Sequence, residues 1–146
     1  MQAMNVAILF QSLRGGTERA AEALGAEFRN QGATCGVYPV SNFDSQFVLN
    51  ADLIVLGTWT DGLFGLAAKP GQMSKLVVLP SIAHKNVAVF VTYEISPKLS
   101  LTKLAEWAEV RGARLVSQQG FHRRHLDRGV EEFVSGALSA SETADH

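Results

Sequence analysis

Ser12-Leu13-Arg14-Gly15-Gly16-Thr17 places a glycine pair between two hydroxyl residues, directly after the apolar run Val6-Ala7-Ile8-Leu9-Phe10. The run reads as a strand buried on both faces, and the residues from Thr17 onward read as a helix, so the segment is a strand-to-helix turn. Paired glycines let several backbone N–H groups converge there, while the helix start adds partial positive charge. The chemistry on offer is a cradle for the phosphate of a mononucleotide. The bland alternative is an ordinary β–α turn whose glycines serve only tight packing.

Competing motifs are absent. The chain has no G-x-G-x-x-G for a dinucleotide and no G-K-[ST] for a nucleoside triphosphate. A phosphoacceptor receiver domain needs acidic residues after its first strand and an aspartate after its third; those places hold Gln11, Ser12 and Gly57. The four histidines lack metal-ligand spacing, and His122 and His125 flank two arginines, which disfavours a bound cation. No Ser-His-Asp or Cys-His constellation stands out, so no side chain is assigned as catalytic.

The cradle needs a scaffold, and 146 residues suffice for one domain with its own core. Hydrophobic residues make up 47% and charged residues 18%, a folded rather than disordered composition. No apolar stretch has the length of a membrane span, and Met1 to Asn5 lack the start of a signal peptide. Cys35 is the single cysteine, which excludes an intrachain disulfide and fits a reducing compartment, the cytoplasm. The net charge of −1 points neither to a nucleic-acid partner nor to a strongly cationic one, and no nucleic-acid partner is expected.

Along the chain, apolar runs alternate with helical stripes. Val6–Phe10 gives a first strand. Ala20, Ala21, Leu24 and Phe28 mark a first helix over Thr17 to Gln31, stopped by Gly32. Ala33–Val40 and Ala51–Gly57 give the second and third strands, with a short helix within Ser41 to Asn50. A loop from Thr58 to Lys69 precedes a helix begun by Pro70, carrying Met73, Leu76 and Val77 and ended by Pro80. Asn86–Thr92 is the fourth strand, and Ser96-Pro97 opens a helix that closes at Gly112. Arg114–Phe121 is a more polar, edge-type fifth strand. Asp127 caps a last helix carrying Val130, Phe133, Val134, Ala137 and Leu138, before a polar tail, 139–146. One domain therefore spans 1–138, an α/β/α sandwich around a five-stranded parallel sheet. Such sheets bind ligands beyond the carboxyl ends of their strands.

The pattern Ile8-Leu-Phe-x-Ser12-x-x-Gly15-x-Thr17-x-x-x-Ala21-x-x-Leu24 resembles the phosphate-loop signature of the flavodoxin-like family. The resemblance runs from about Asn5 to Leu138 and implies a three-layer flavodoxin-like fold with bound FMN. It implies that the Ser12 and Thr17 hydroxyls and the amides of Leu13, Arg14, Gly15, Gly16 and Thr17 hold the FMN phosphate. It also implies that the segment after strand three wraps one flavin face. Trp59 is then the stacking aromatic, with Thr58 and Thr60 at the pyrimidine edge and Asp61 and Gly62 continuing the same flavin-binding loop. Thr92 and Tyr93 follow strand four, at the other face or edge.

The chain departs from the family in several places. Arg14 replaces a hydroxyl residue and adds a charge-assisted phosphate contact or a solvated loop tip. Thr60 replaces the glycine after the tryptophan, where positive φ is easiest for glycine. Either Asp61-Gly62 supplies the turn, or the one-electron-reduced flavin is poorly stabilised. Flavodoxins are acidic, whereas this chain is near neutral and carries His122-Arg123-Arg124-His125 beside the expected site, with Arg14, Lys69 and Lys98 nearby. That rim favours an anionic partner or dinucleotide phosphate, or is a solvated loop.

Three functions stay open. One is an electron carrier serving a redox partner protein. Another is an FMN-dependent oxidoreductase taking electrons from NAD(P)H to a quinone-like acceptor, an activity that goes with homo-oligomers. The third is an interaction module without FMN.

Overall fold

The computed structural model describes residues 3–11, 15–61, 69–70, 82–94 and 98–144. Strand β1 (Asn5–Phe10) leads through the glycine turn into α1 (Gly16–Asn30), followed by β2 (Thr34–Pro39), α2 (Ser45–Leu49) and β3 (Leu53–Asp61). After β4 (Lys69–Pro70) come β5 (Asn86–Tyr93), α3 (Lys98–Val110), β6 (Arg114–His122) and α4 (Val130–Ala144). The main sheet is five-stranded and parallel throughout, in the order β2-β1-β3-β5-β6.

The apolar runs become the central strands because both of their faces are covered. Val6, Ile8, Val55 and Phe90 face one side, where Leu24 and Phe28 of α1 and Phe133 and Val134 of α4 meet them. Ala7, Leu9, Leu56 and Val89 face the other, against Val48 of α2 and Leu104 and Ala108 of α3. Cys35 packs within the first layer, and burial pushes its thiol up to about 11. The more polar β6 lies at an edge, as its sequence predicts.

From β1 the chain first crosses outward to β2, then returns on the other side to β3. This is the doubly wound order for which flavodoxins are a standard example, and its switch point lies between β1 and β3. The amide of Gln11 ties the strand ends together there by donating to the Gly57 carbonyl at 2.9 Å.

Four sequence expectations require correction. Thr58 to Asp61 are not loop: β3 continues through them, pairing Thr58 and Trp59 with Val91 and Thr92 of β5, and Thr60 and Asp61 with β4. Pro70 does not start a helix. It sits in the two-residue antiparallel β4 opposite Thr60, an edge position that tolerates the missing N–H. Met73, Leu76 and Val77 lie outside the described residues.

Asp127 is not the cap of α4. A turn intervenes, and the carbonyl of Gly129, at φ +84°, accepts the first helical N–H, from Phe133 at 2.9 Å. Finally, residues 139–144 belong to α4 rather than to a tail. Ser141 is fully buried, and the Thr143 hydroxyl donates to the Ser139 carbonyl at 3.0 Å. Thr143 thus looks polar by composition yet satisfies its hydroxyl on the preceding helical turn.

Candidate functional site

At the carboxyl end of β1 the chain reverses through Gly15, whose φ of +85° and ψ of −7° belong to the left-handed region. A β-carbon there is disfavoured by that φ, and glycine removes the penalty. The Gly15 carbonyl accepts the Arg19 amide at 3.0 Å, so α1 winds immediately. Among the described residues no side chain caps this helix. In α2, by contrast, Asp44 Oδ1 accepts from the amides of Gln46 and Phe47, each at 3.1 Å.

Uncapped first-turn N–H groups and the positive end of the helix dipole are what an anion completes. Among the described residues nothing lies within 4 Å of a Cβ placed on Gly16. The residues present therefore fit a phosphate. Ser12, Leu13 and Arg14 lie outside the described residues.

Thr17, in the first turn of α1, is 1% exposed, and its Oγ1 lies 2.9 Å from Oγ1 of Thr92 at the end of β5. Thr92 is equally buried. The hydroxyls of two segments far apart in sequence are thus joined, a link that the strand pattern of β5 does not reveal. Its one sequence signal is Thr92 itself, a polar residue closing an otherwise apolar run.

Below this level the sheet is closed by aromatic rings. Phe90 sits over its register partner Gly57, in the space a Cβ there would need. It meets Phe121 edge-on at 5.9 Å, and Phe121 meets Phe133 of α4 in the same way at 5.7 Å. Edge-to-face stacking of this kind makes a rigid floor.

Trp59 is the register partner of Thr92. Strand alternation places it on the same sheet face as Gly57 and Thr92, the side of α1 and α4. It is only 6% exposed, so a ligand meets a narrow part of the indole. Thr58 is fully buried and alternates to the opposite face. Thr60 and Asp61 hold extended backbone in β3, and Gly62 lies outside the described residues. Positive φ among the described non-glycine residues occurs at His84 alone, so Thr60 does not supply the special turn.

Tyr93 ends β5 and stands edge-on to His122 of β6, ring centroids 5.3 Å apart. His122 in turn lies 5.5 Å from His125. The Arg124 amide donates to His122 Nδ1 at 3.1 Å, which holds the ring in one orientation. The arginine rim is less cationic than its composition suggests, because Arg123 Nη1 lies 3.9 Å from the Glu94 carboxylate. Lys98, the first residue of α3, is exposed. Nothing is described of the Lys69 side chain. Among the described residues no cluster of His, Cys, Asp and Glu has the makeup of a metal site, and no helix is long and apolar enough to cross a membrane.

A family model described as a flavodoxin domain matches residues 7–112. The fold is similar to the two-electron-reduced flavodoxin of Megasphaera elsdenii, at 20% identity and a TM-score of 0.74 over 94% of this chain and 98% of that one. It is also similar to a flavodoxin from the Archaea, at 19% identity and a TM-score of 0.71 over 98% of this chain and all of that one. The rubredoxin oxygen:oxidoreductase of Desulfovibrio gigas contains a similar unit, at 21% identity and a TM-score of 0.68. There 99% of this chain matches 37% of the other. At these identities the likeness is one of fold. No curated protein matches the sequence.

Proposed function

Because the chain belongs to the flavodoxin domain family, we propose that it binds FMN at the start of α1 and works as an electron carrier. The observation that carries this is the start of α1 behind left-handed Gly15, where no described side chain caps the helix and no described atom crowds Gly16, at the switch point of the sheet. The amides of Gly16 and Thr17 with the Thr17 hydroxyl receive the phosphate, together with Ser12, Leu13 and Arg14.

Trp59 borders one side of the flavin, and Tyr93, steadied by His122, borders the pyrimidine edge or the other face. Thr60, Asp61 and Gly62 form the adjoining wall, and Thr58, turned to the opposite face of the sheet, offers it only backbone. Bound FMN supplies the redox chemistry, and the protein supplies binding, orientation and the surrounding polarity. A redox partner protein exchanges electrons at this edge, in the reducing cytoplasm that the single buried Cys35 suits.

A second proposal is an FMN-dependent NAD(P)H:quinone-type oxidoreductase, for which the near-neutral charge of −1 speaks, since acidity steers flavodoxins to basic partners. Anaerobic mixing of the FMN-loaded protein with NADPH separates the two. A carrier stays yellow until a reductase is added, whereas rapid bleaching by NADPH alone establishes the enzyme. A chain that takes up no FMN overturns both.

A further inference from the structure

We infer that Thr92 is a positioning residue for the cofactor phosphate, acting through Thr17 and not by touching the flavin; this rests on the FMN reading above. The two hydroxyl oxygens are 2.9 Å apart, and each residue is 1% exposed. Only one hydrogen lies between them, so the pair has two polarities. If Thr17 donates to Thr92, the Thr17 oxygen presents only lone pairs to its surroundings, which repel an anion. If Thr92 donates to Thr17, the Thr17 hydrogen is released and can be given to a phosphate oxygen. An anion at the start of α1 therefore selects the second polarity, giving a chain of hydrogen bonds from Thr92 through Thr17 to the phosphate, in which each bond polarises the next.

Burial makes the arrangement specific. Both residues are held by surrounding protein, and their mutual hydrogen bond orients the Thr17 side chain in advance of binding. Thr92 is also the register partner of Trp59. The strand pair that carries the indole thus anchors the first turn of α1 and sets phosphate and ring regions at a fixed separation.

The test compares the full chain with Thr92→Val, Thr92→Ser, Thr17→Val and the double variant Thr17→Val/Thr92→Val. Each apoprotein is titrated with FMN and with riboflavin, which lacks the phosphate. Thermal unfolding in the absence of flavin is recorded alongside. Loss of one neutral hydrogen bond predicts FMN binding about 3- to 10-fold weaker in Thr92→Val, with riboflavin binding unchanged and Thr92→Ser close to wild type. Because Thr92 acts only through Thr17, the double variant should bind FMN no more weakly than Thr17→Val.

Equal weakening of FMN and riboflavin by Thr92→Val would overturn the inference and mark Thr92 as part of the ring site or of the fold. Additive losses in the double variant would overturn it too, as would unaltered FMN binding in Thr92→Val. Failure of the wild-type chain to bind either flavin removes the FMN reading itself, and is distinct from those three results.

Discussion

Phe90 occupies the space that a β-carbon on Gly57 would need, although the two residues belong to adjacent central strands with their backbones in register. The glycine is there to admit the ring, and the ring is the first member of the Phe90–Phe121–Phe133 stack beneath the site. Gly57→Ala is expected to destabilise the fold by about 1–3 kcal/mol, the usual cost of overpacking a core. Chemical denaturation measures it. Gly57→Ala/Phe90→Leu should recover part of the loss, and a Gly57→Ala variant as stable as wild type would contradict this packing.

Cys35 gives a pH prediction. Burial in the α1 layer raises its thiol from 9.0 to about 11, with the nearby Arg29 guanidinium pulling the other way. The folded protein then keeps a proton that the unfolded chain loses, so the stability tied to this group is intact below pH 9 and declines as pH rises toward 11. Urea unfolding across that range should show a decline that Cys35→Val reduces. At pH 8 the native thiol should resist iodoacetamide and react once the protein is unfolded.

Trp59 and Thr17 should separate cleanly in binding. Stacking on the indole concerns the ring, which FMN and riboflavin share, so Trp59→Leu is expected to weaken both flavins alike, by about 3- to 10-fold. Flavin fluorescence titration reads both constants. A loss confined to FMN would place Trp59 at the phosphate instead.

The end of α4 supplies a stability prediction that composition alone would reverse. Ser141 is fully buried and Thr143 is bonded back to Ser139, so removing residues 139–146 should lower the melting temperature by about 2–4 °C, the shift expected of a loss near 1 kcal/mol in a domain of about 150 residues. Removing only residues 145–146 should leave it unchanged. Equal melting temperatures for the two truncations would contradict a structural role for the last helical turns.

These cases also mark where the sequence is legible. Strands β1, β3 and β5 announce themselves because burial on both faces demands uninterrupted apolar residues, and the polar edge strand β6 announces itself by their loss. The start of α1 is readable because a glycine pair between a buried strand and a helical stripe has few uses. The end of β3 is not readable, since Thr58 to Asp61 resemble loop residues until β4 and β5 pair with them. Pro70 looks like a helix start for the same reason that it suits an edge strand: it gives up its N–H in either place. The Thr17–Thr92 and Tyr93–His122 contacts join distant segments, and periodicity carries no information about such pairs.

Calorimetric titration of the flavin-free protein with FMN, run beside Thr17→Val, tests the phosphate cradle most directly. The expected result is saturable binding of one FMN per chain, weakened in the variant, with riboflavin bound less tightly than FMN by the wild type. Absence of any saturable heat, or FMN binding that is indifferent both to Thr17 and to the phosphate, would contradict the cradle at the start of α1.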